Sequence, residues 1–156
     1  MANNSQTINN HRKTIGDIAV DGLLAGMAAG VVMALWLILV GLLGGEGPAA
    51  TLGRFDPGAG GLPAIGALMH LAVAGIYGVI FALVVQALSG RWSLSPKPAL
   101  YLVGVAYGLL LWLVARLVVL PDLNQTLGDI TALNFLAAHI LYGVALGYLL
   151  GRHQTG

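Results

Sequence analysis

Four long stretches of this chain carry almost no charge, over about residues 18–44, 62–88, 98–120 and 131–151, with Asp21 and Arg116 the only charged residues inside them. About 20 apolar residues cross a bilayer as a helix. In lipid, segments of this length satisfy their own backbone only as helices. Composition points the same way. Hydrophobic residues make up 58% of the 156 and charged residues 8%, against about 25% charged in a soluble domain. The 23 glycines follow no three-residue period, which excludes collagen. Disorder would need low hydrophobicity and high charge.

The expected fold class is therefore all-α: a polytopic membrane protein with four transmembrane helices in one domain over 18–152. Short tails flank it at 1–17 and 153–156, and no soluble domain is expected. The apolar core of the first stretch is longer than the roughly 7–15 residues of a signal peptide, so it reads as a retained helix. A net charge of +1 gives no electrostatic footprint for nucleic acid. Without cysteine there is no disulfide, thiolate metal site or cysteine nucleophile.

Basic residues predict the orientation. Arg12 and Lys13 precede the first span, Arg91 and Lys97 lie between the second and third, and Arg152 follows the fourth. The other two connections hold only Arg54 beside Glu46, Asp56, Asp122 and Asp129. Lys and Arg collect on the cytoplasmic side, so both termini and the middle connection are expected inside. Thr14 and Asp17 form a capping signal before the first span. Pro98 suits a first helical turn, and Pro121 ends the third span. The first connection is Gly/Pro-rich and is expected to be irregular.

The spans read as a tandem pair of hairpins. Gly26-Met-Ala-Ala-Gly30 followed by Trp36 parallels Gly104-Val-Ala-Tyr-Gly108 followed by Trp112. His70 stands eight residues before Gly78, as His139 stands before Gly147. Small residues recur at four-residue spacing through Gly22, Gly26 and Gly30, through Gly104 and Gly108, and through Gly143, Gly147 and Gly151, with Gly78 in the second span. Such faces let helix backbones approach closely in lipid.

Counting 1.5 Å per residue, His70, His139, Trp36 and Trp112 all fall roughly 12 Å below the outer boundary. Bulky and polar residues fill the outer half and glycines the inner half. A pocket in the outer half is the expectation, lined by Trp36, Tyr77, Trp112, Arg116 and Tyr142, with His70 and His139 as candidate ligands. An ionisable residue inside a membrane is a functional candidate. Two histidines on parallel helices could ligate haem b or a chlorin. The alternative is a hydrogen bond from each imidazole to a neighbouring helix, with Tyr77 or Tyr142 as partner. Arg116 would pair with Asp122, Asp129 or Asp56. Trp92, Tyr101 and Tyr148 read as interfacial anchors. No H-E-x-x-H, G-x-S-x-G or P-loop occurs, and no span holds paired carboxylates, so no catalytic residue or metal site is predicted and an enzyme is not expected, a redox-complex subunit being the one exception.

The motifs also carry a resemblance. Gly-x-Ala-Ala-Gly-x-x-Met spans Gly26 to Met33, Tyr77-Gly78 follows His70, Ala-Tyr-Gly-x-x-x-Trp spans Ala106 to Trp112, Leu120-Pro121 ends the third span, and Ala-His-x-x-Tyr-Gly spans Ala138 to Gly143. This pattern resembles the small four-helix bacterial membrane proteins of uncharacterised function that include the YagU-like group. The resemblance implies a bacterial inner-membrane location, with no cofactor and no role for the histidines. The leading functional expectation is a structural or assembly role, the chain packing through its glycine faces with itself or with a larger membrane complex and binding no cofactor. Tetrapyrrole binding or electron transfer through His70 and His139 is the second reading. An outward-facing small-molecule or lipid binder, or a transporter, is the third.

Overall fold

The computed structural model describes residues 13–58, 60–89, 97–119 and 130–153, and every regular element among them is helical. Helix α1 is Ile15–Leu43, α2 is Pro48–Gly53, α3 is Pro63–Ser89, α4 is Lys97–Val114 and α5 is Ala132–His153; α4 runs on into a π-helical segment, Ala115–Val119. All but α2 are long and apolar enough to cross a membrane. The 29 residues of α1 extend about 43 Å at 1.5 Å each, more than the roughly 30 Å of a hydrocarbon core. The outer faces are apolar as well: Leu24, Leu68, Leu102 and Leu117 are 61%, 68%, 71% and 69% exposed, a surface suited to lipid tails and costly in water. Trp92, Pro121, Asp122 and Asp129 lie outside the described residues.

The start of α1 is a full capping box. Thr14 Oγ1 accepts from the Asp17 N–H at 3.2 Å, and the Thr14 N–H donates to Asp17 Oδ2 at 2.8 Å, so two end-of-helix donors are satisfied reciprocally. Lys13, just before the helix, pairs with Asp21 in its second turn, at 2.7 Å. The helix stops at Gly44 and Gly45. Gly45 takes a φ of +83°, which a side chain would resist, and the turned chain lets the Glu46 N–H reach the Gly41 carbonyl at 2.8 Å.

Residues 46–62 are more ordered than a Gly/Pro-rich connection suggests, because α2 forms within them. Pro48 sits in its first turn, where a missing N–H costs nothing. Arg54 Nε donates to Glu46 Oε1 at 2.8 Å. Asp56 closes the connection, its carboxylate accepting from the Leu62 N–H at 2.8 Å and the Gly58 N–H at 2.9 Å.

The long helices form two antiparallel hairpins, α1 with α3 and α4 with α5, joined by α1 against α5. Backbone contact at glycine sets both hairpins. A Cβ on Gly78 would fall on the Gly22 carbonyl oxygen and the Gly26 Cα; a Cβ on Gly104 would fall on the Gly143 carbonyl. By contrast α3 meets α4 through side chains: the Tyr107 hydroxyl donates to the Tyr77 carbonyl at 2.9 Å, and the Phe81 and Tyr107 rings lie 4.9 Å apart. The core holds Leu37, Phe81, Leu100 and Leu146, all fully buried. Tyr101 and Tyr148 stack at 6.2 Å at the end bearing the termini, with Arg152 over the Tyr148 ring.

Two predictions follow from this packing. Gly78→Ala should lower stability by about 1–3 kcal/mol, the usual cost of overpacking, in reversible unfolding of the purified protein; Gly47→Ala, whose added Cβ meets nothing within 4 Å, should be close to neutral. The N–H groups of Leu62 and Gly58 hold the Asp56 carboxyl below its ordinary value of 3.8. Its contribution is therefore complete above that pH and fades as pH falls through the lower folded-state value. Asp56→Ala should be less heat-stable than the parent at pH 6, with the gap closing only below 3.8; a gap that closes near neutral pH would refute this account of the loop.

Candidate functional site

A cavity of about 290 Å³ opens between α3, α4 and α5. It lies toward the end capped by residues 46–62, beyond the glycine contacts that join the two long helices of each hairpin. Met33 of α1 comes after Gly22, Gly26 and Gly30, and Leu111 of α4 and Ala115 of the π-helical segment come after Gly104 and Gly108. In α3 and α5 its histidines come before Gly78 and Gly143. Phe55 and Pro57 of the connection cover it. Close backbones on one side and large side chains on the other leave room that the bundle does not fill.

The lining is mostly apolar, and His70 and His139 both belong to it, although each comes from a different hairpin. Each imidazole stands beside a phenylalanine: Phe55 lies 4.5 Å from His70 and Phe135 4.5 Å from His139, between ring centroids. The hydrogen bonds of the two rings go to backbone carbonyls, not to the expected tyrosines. His70 Nε2 donates to the Gly30 carbonyl across the α1–α3 contact at 2.9 Å. His139 Nδ1 donates to the Phe135 carbonyl one turn back at 2.8 Å. A carbonyl can only accept, so each bond places the proton of a neutral imidazole on the bonded nitrogen and leaves the other nitrogen a bare acceptor.

Tyr77 and Tyr142 line this cavity. The Tyr142 hydroxyl donates to the Ala74 carbonyl at 2.7 Å, tying α5 to α3. The other three expected lining residues stand elsewhere. Trp36 turns toward α5, its indole N–H donating to the Asn134 carbonyl at 3.2 Å. On α4 the cavity takes Leu111 and Ala115, so Trp112 and Arg116 sit about 100° further round the helix. Trp112 Nε1 is buried without a partner among the described residues. Arg116 is exposed in the π-helical segment and makes no ion pair or hydrogen bond among the described residues, Asp56 included.

Several lining residues went unnamed at the level of sequence. Phe135 stands one turn before His139, while Val73 and Ala74 follow His70 at three and four residues. That spacing marks one face of a helix, so counting outward from each histidine could have found them. Phe55 and Pro57 come from a connection with no periodicity, and nothing local marks them.

The tetrapyrrole of the second reading finds no support in this arrangement. His70 Nε2 is committed to Gly30, which leaves only Nδ1 of that ring for an axial bond. A cavity of about 150 Å³ accommodates benzene, so about 290 Å³ suits one substituted ring and not a macrocycle. Among the described residues no three His, Cys, Asp or Glu side chains converge as a metal site.

The glycine faces expected to serve assembly are used within the chain. Gly22, Gly26, Gly30 and Gly78 are buried in the first hairpin, and Gly104, Gly108, Gly143, Gly147 and Gly151 in the second. With these backbones already in contact, their glycines are not open to a partner.

No curated protein and no solved structure matches the chain. A family model does, over residues 17–156, and it does not confirm the YagU-like resemblance. On that match, the chain belongs to the DUF6789 family, a family of unknown function.

Proposed function

We propose that this protein is a bacterial inner-membrane bundle that binds a small, largely apolar molecule in the cavity between α3, α4 and α5. The observation that carries this reading is the cavity itself, into which two separate hairpins each place a histidine beside a phenylalanine. Ligand pockets are concave, mainly apolar and furnished with a few polar groups, and their volumes begin near 300 Å³. The assembly reading has less support, since its glycine faces are occupied internally. Among the described residues the site has no Ser, Thr, Cys or Lys and no paired acids, and binding is the activity proposed.

Both termini are cytoplasmic in this reading and the cavity lies in the outer half. The distribution of Lys and Arg supports that orientation. A duplicated hairpin is also part of the proposal, and equivalent packing supports it. Gly26 meets Gly78 and Ala74, and Gly30 meets Ala74 and His70. In the second hairpin Gly104 meets Gly147 and Gly143, and Gly108 meets Gly143 and His139. The same two sequence offsets relate all of these pairs.

Two measurements test the proposal. The chain has no cysteine, so single-cysteine labelling is unambiguous. Gly58→Cys should react with an impermeant maleimide in intact cells, and Gly16→Cys only after permeabilisation; the reverse pattern overturns the orientation. For binding, thermal unfolding is followed with monocyclic aromatic compounds such as toluene. A ligand at 100 times its Kd stabilises by about 2.7 kcal/mol. Ala115→Phe, which fills the cavity from α4, should abolish that shift. If the variant and its parent respond alike, the ligand is not in this cavity and the reading fails.

A further inference from the structure

The hydrogen bonds around the cavity restrict what can occupy it. Among the described residues, three polar groups of its lining have no partner: His70 Nδ1, His139 Nε2 and the Tyr77 hydroxyl. Neither histidine nitrogen is among the sealed, unpartnered side-chain atoms of the described residues, so both keep some accessible surface. The carbonyls of Gly30 and Phe135 hold the ring protons on the opposite nitrogens. The cavity therefore offers two fixed acceptors and one phenol that can donate or accept. Among the described residues, no Lys, Arg, Asp or Glu lines it. A carboxylate guest would bring more acceptors and no cation to meet them, and an ammonium guest would find no counter-ion. The guest that matches is neutral and supplies hydrogen-bond donors. Phe55 and Phe135 provide flat apolar walls beside the two acceptors, and the volume suits one substituted ring.

We infer that the site takes a neutral hydroxylated monocyclic aromatic, of the phenol or hydroquinone class, with its hydroxyls donating to His139 Nε2 and His70 Nδ1. This rests on the cavity being a ligand site, and adds the chemistry of that ligand. The donor requirement separates it from a plain apolar pocket, because burying a bare imidazole nitrogen against a guest without a donor forfeits the hydrogen bond that water gave it.

The test compares hydroquinone with 1,4-dimethoxybenzene, which keeps the ring and loses both donors. Binding to the full-length protein in nanodiscs is measured after subtraction of partition into empty discs. The histidine ring nitrogens are followed by 15N NMR. Hydroquinone should bind about tenfold or more tightly than the diether, the worth of one well-formed hydrogen bond, and should move the resonances of His139 Nε2 and His70 Nδ1. His139→Phe, which keeps an aromatic ring and removes the acceptor, should lose most of the preference for hydroquinone over the diether. If hydroquinone and the diether bind the parent equally, the donor rule is wrong while the cavity stands as an apolar site. If hydroquinone, the diether and toluene all fail to bind, the ligand-site reading falls with it.

Discussion

Backbone-to-backbone contact at glycine holds each hairpin, and the other features of the bundle are arranged around it. Lipid tails are as apolar as leucine, so helices in a bilayer associate through close packing and polar contacts, with no hydrophobic drive between them. Gly78 against Gly22 and Gly26, and Gly104 against Gly143, bring the helix axes as near as a backbone permits. Side chains larger than hydrogen would force those axes apart. The same contact fixes where space is left over. Beyond the glycines, Met33, Leu111, His70 and His139 stand where the helices can no longer approach, and the cavity begins there.

Polar groups then bind the two hairpins to one another. Trp36 reaches the Asn134 carbonyl, Tyr142 the Ala74 carbonyl and Tyr107 the Tyr77 carbonyl. Each donor finds a helical carbonyl with a lone pair to spare, which avoids the cost of an unpartnered hydroxyl or indole in an apolar interior. The histidines use the same device with a different result. Their bonds to Gly30 and Phe135 satisfy one nitrogen each and leave the other an acceptor on a ring that lines the cavity. Backbone carbonyls, which carry no sequence-specific chemistry of their own, thereby decide the hydrogen-bonding character of the site.

Much of the bundle is legible in the order of residues. The four spans follow from uninterrupted apolar runs, since a charge-free run of that length can satisfy its backbone in lipid only as a helix. The start of α1 follows from Thr14 and Asp17, and the shared level of His70 and His139 from a constant rise per residue. Tyr77 and Tyr142 were foreseeable as lining because they lie near those histidines on the same helices. Trp36, Trp112 and Arg116 were expected there from depth alone, and depth says nothing about direction around the axis. The 100° that separates Leu111 from Trp112 removes the second from the cavity at an unchanged level.

By itself, then, the sequence determined how many apolar helices form, about where each begins and ends, and at what height its polar residues stand. These are local properties, set by hydrophobicity, caps and a fixed rise. The tertiary structure alone decided which side of each helix faces its neighbours, that α2 forms and carries Phe55 and Pro57 over the cavity, and that two histidines from different hairpins share one space. Those outcomes depend on which glycine meets which backbone and on how far apart the helices stand beyond that contact, and no single stretch of chain contains both partners.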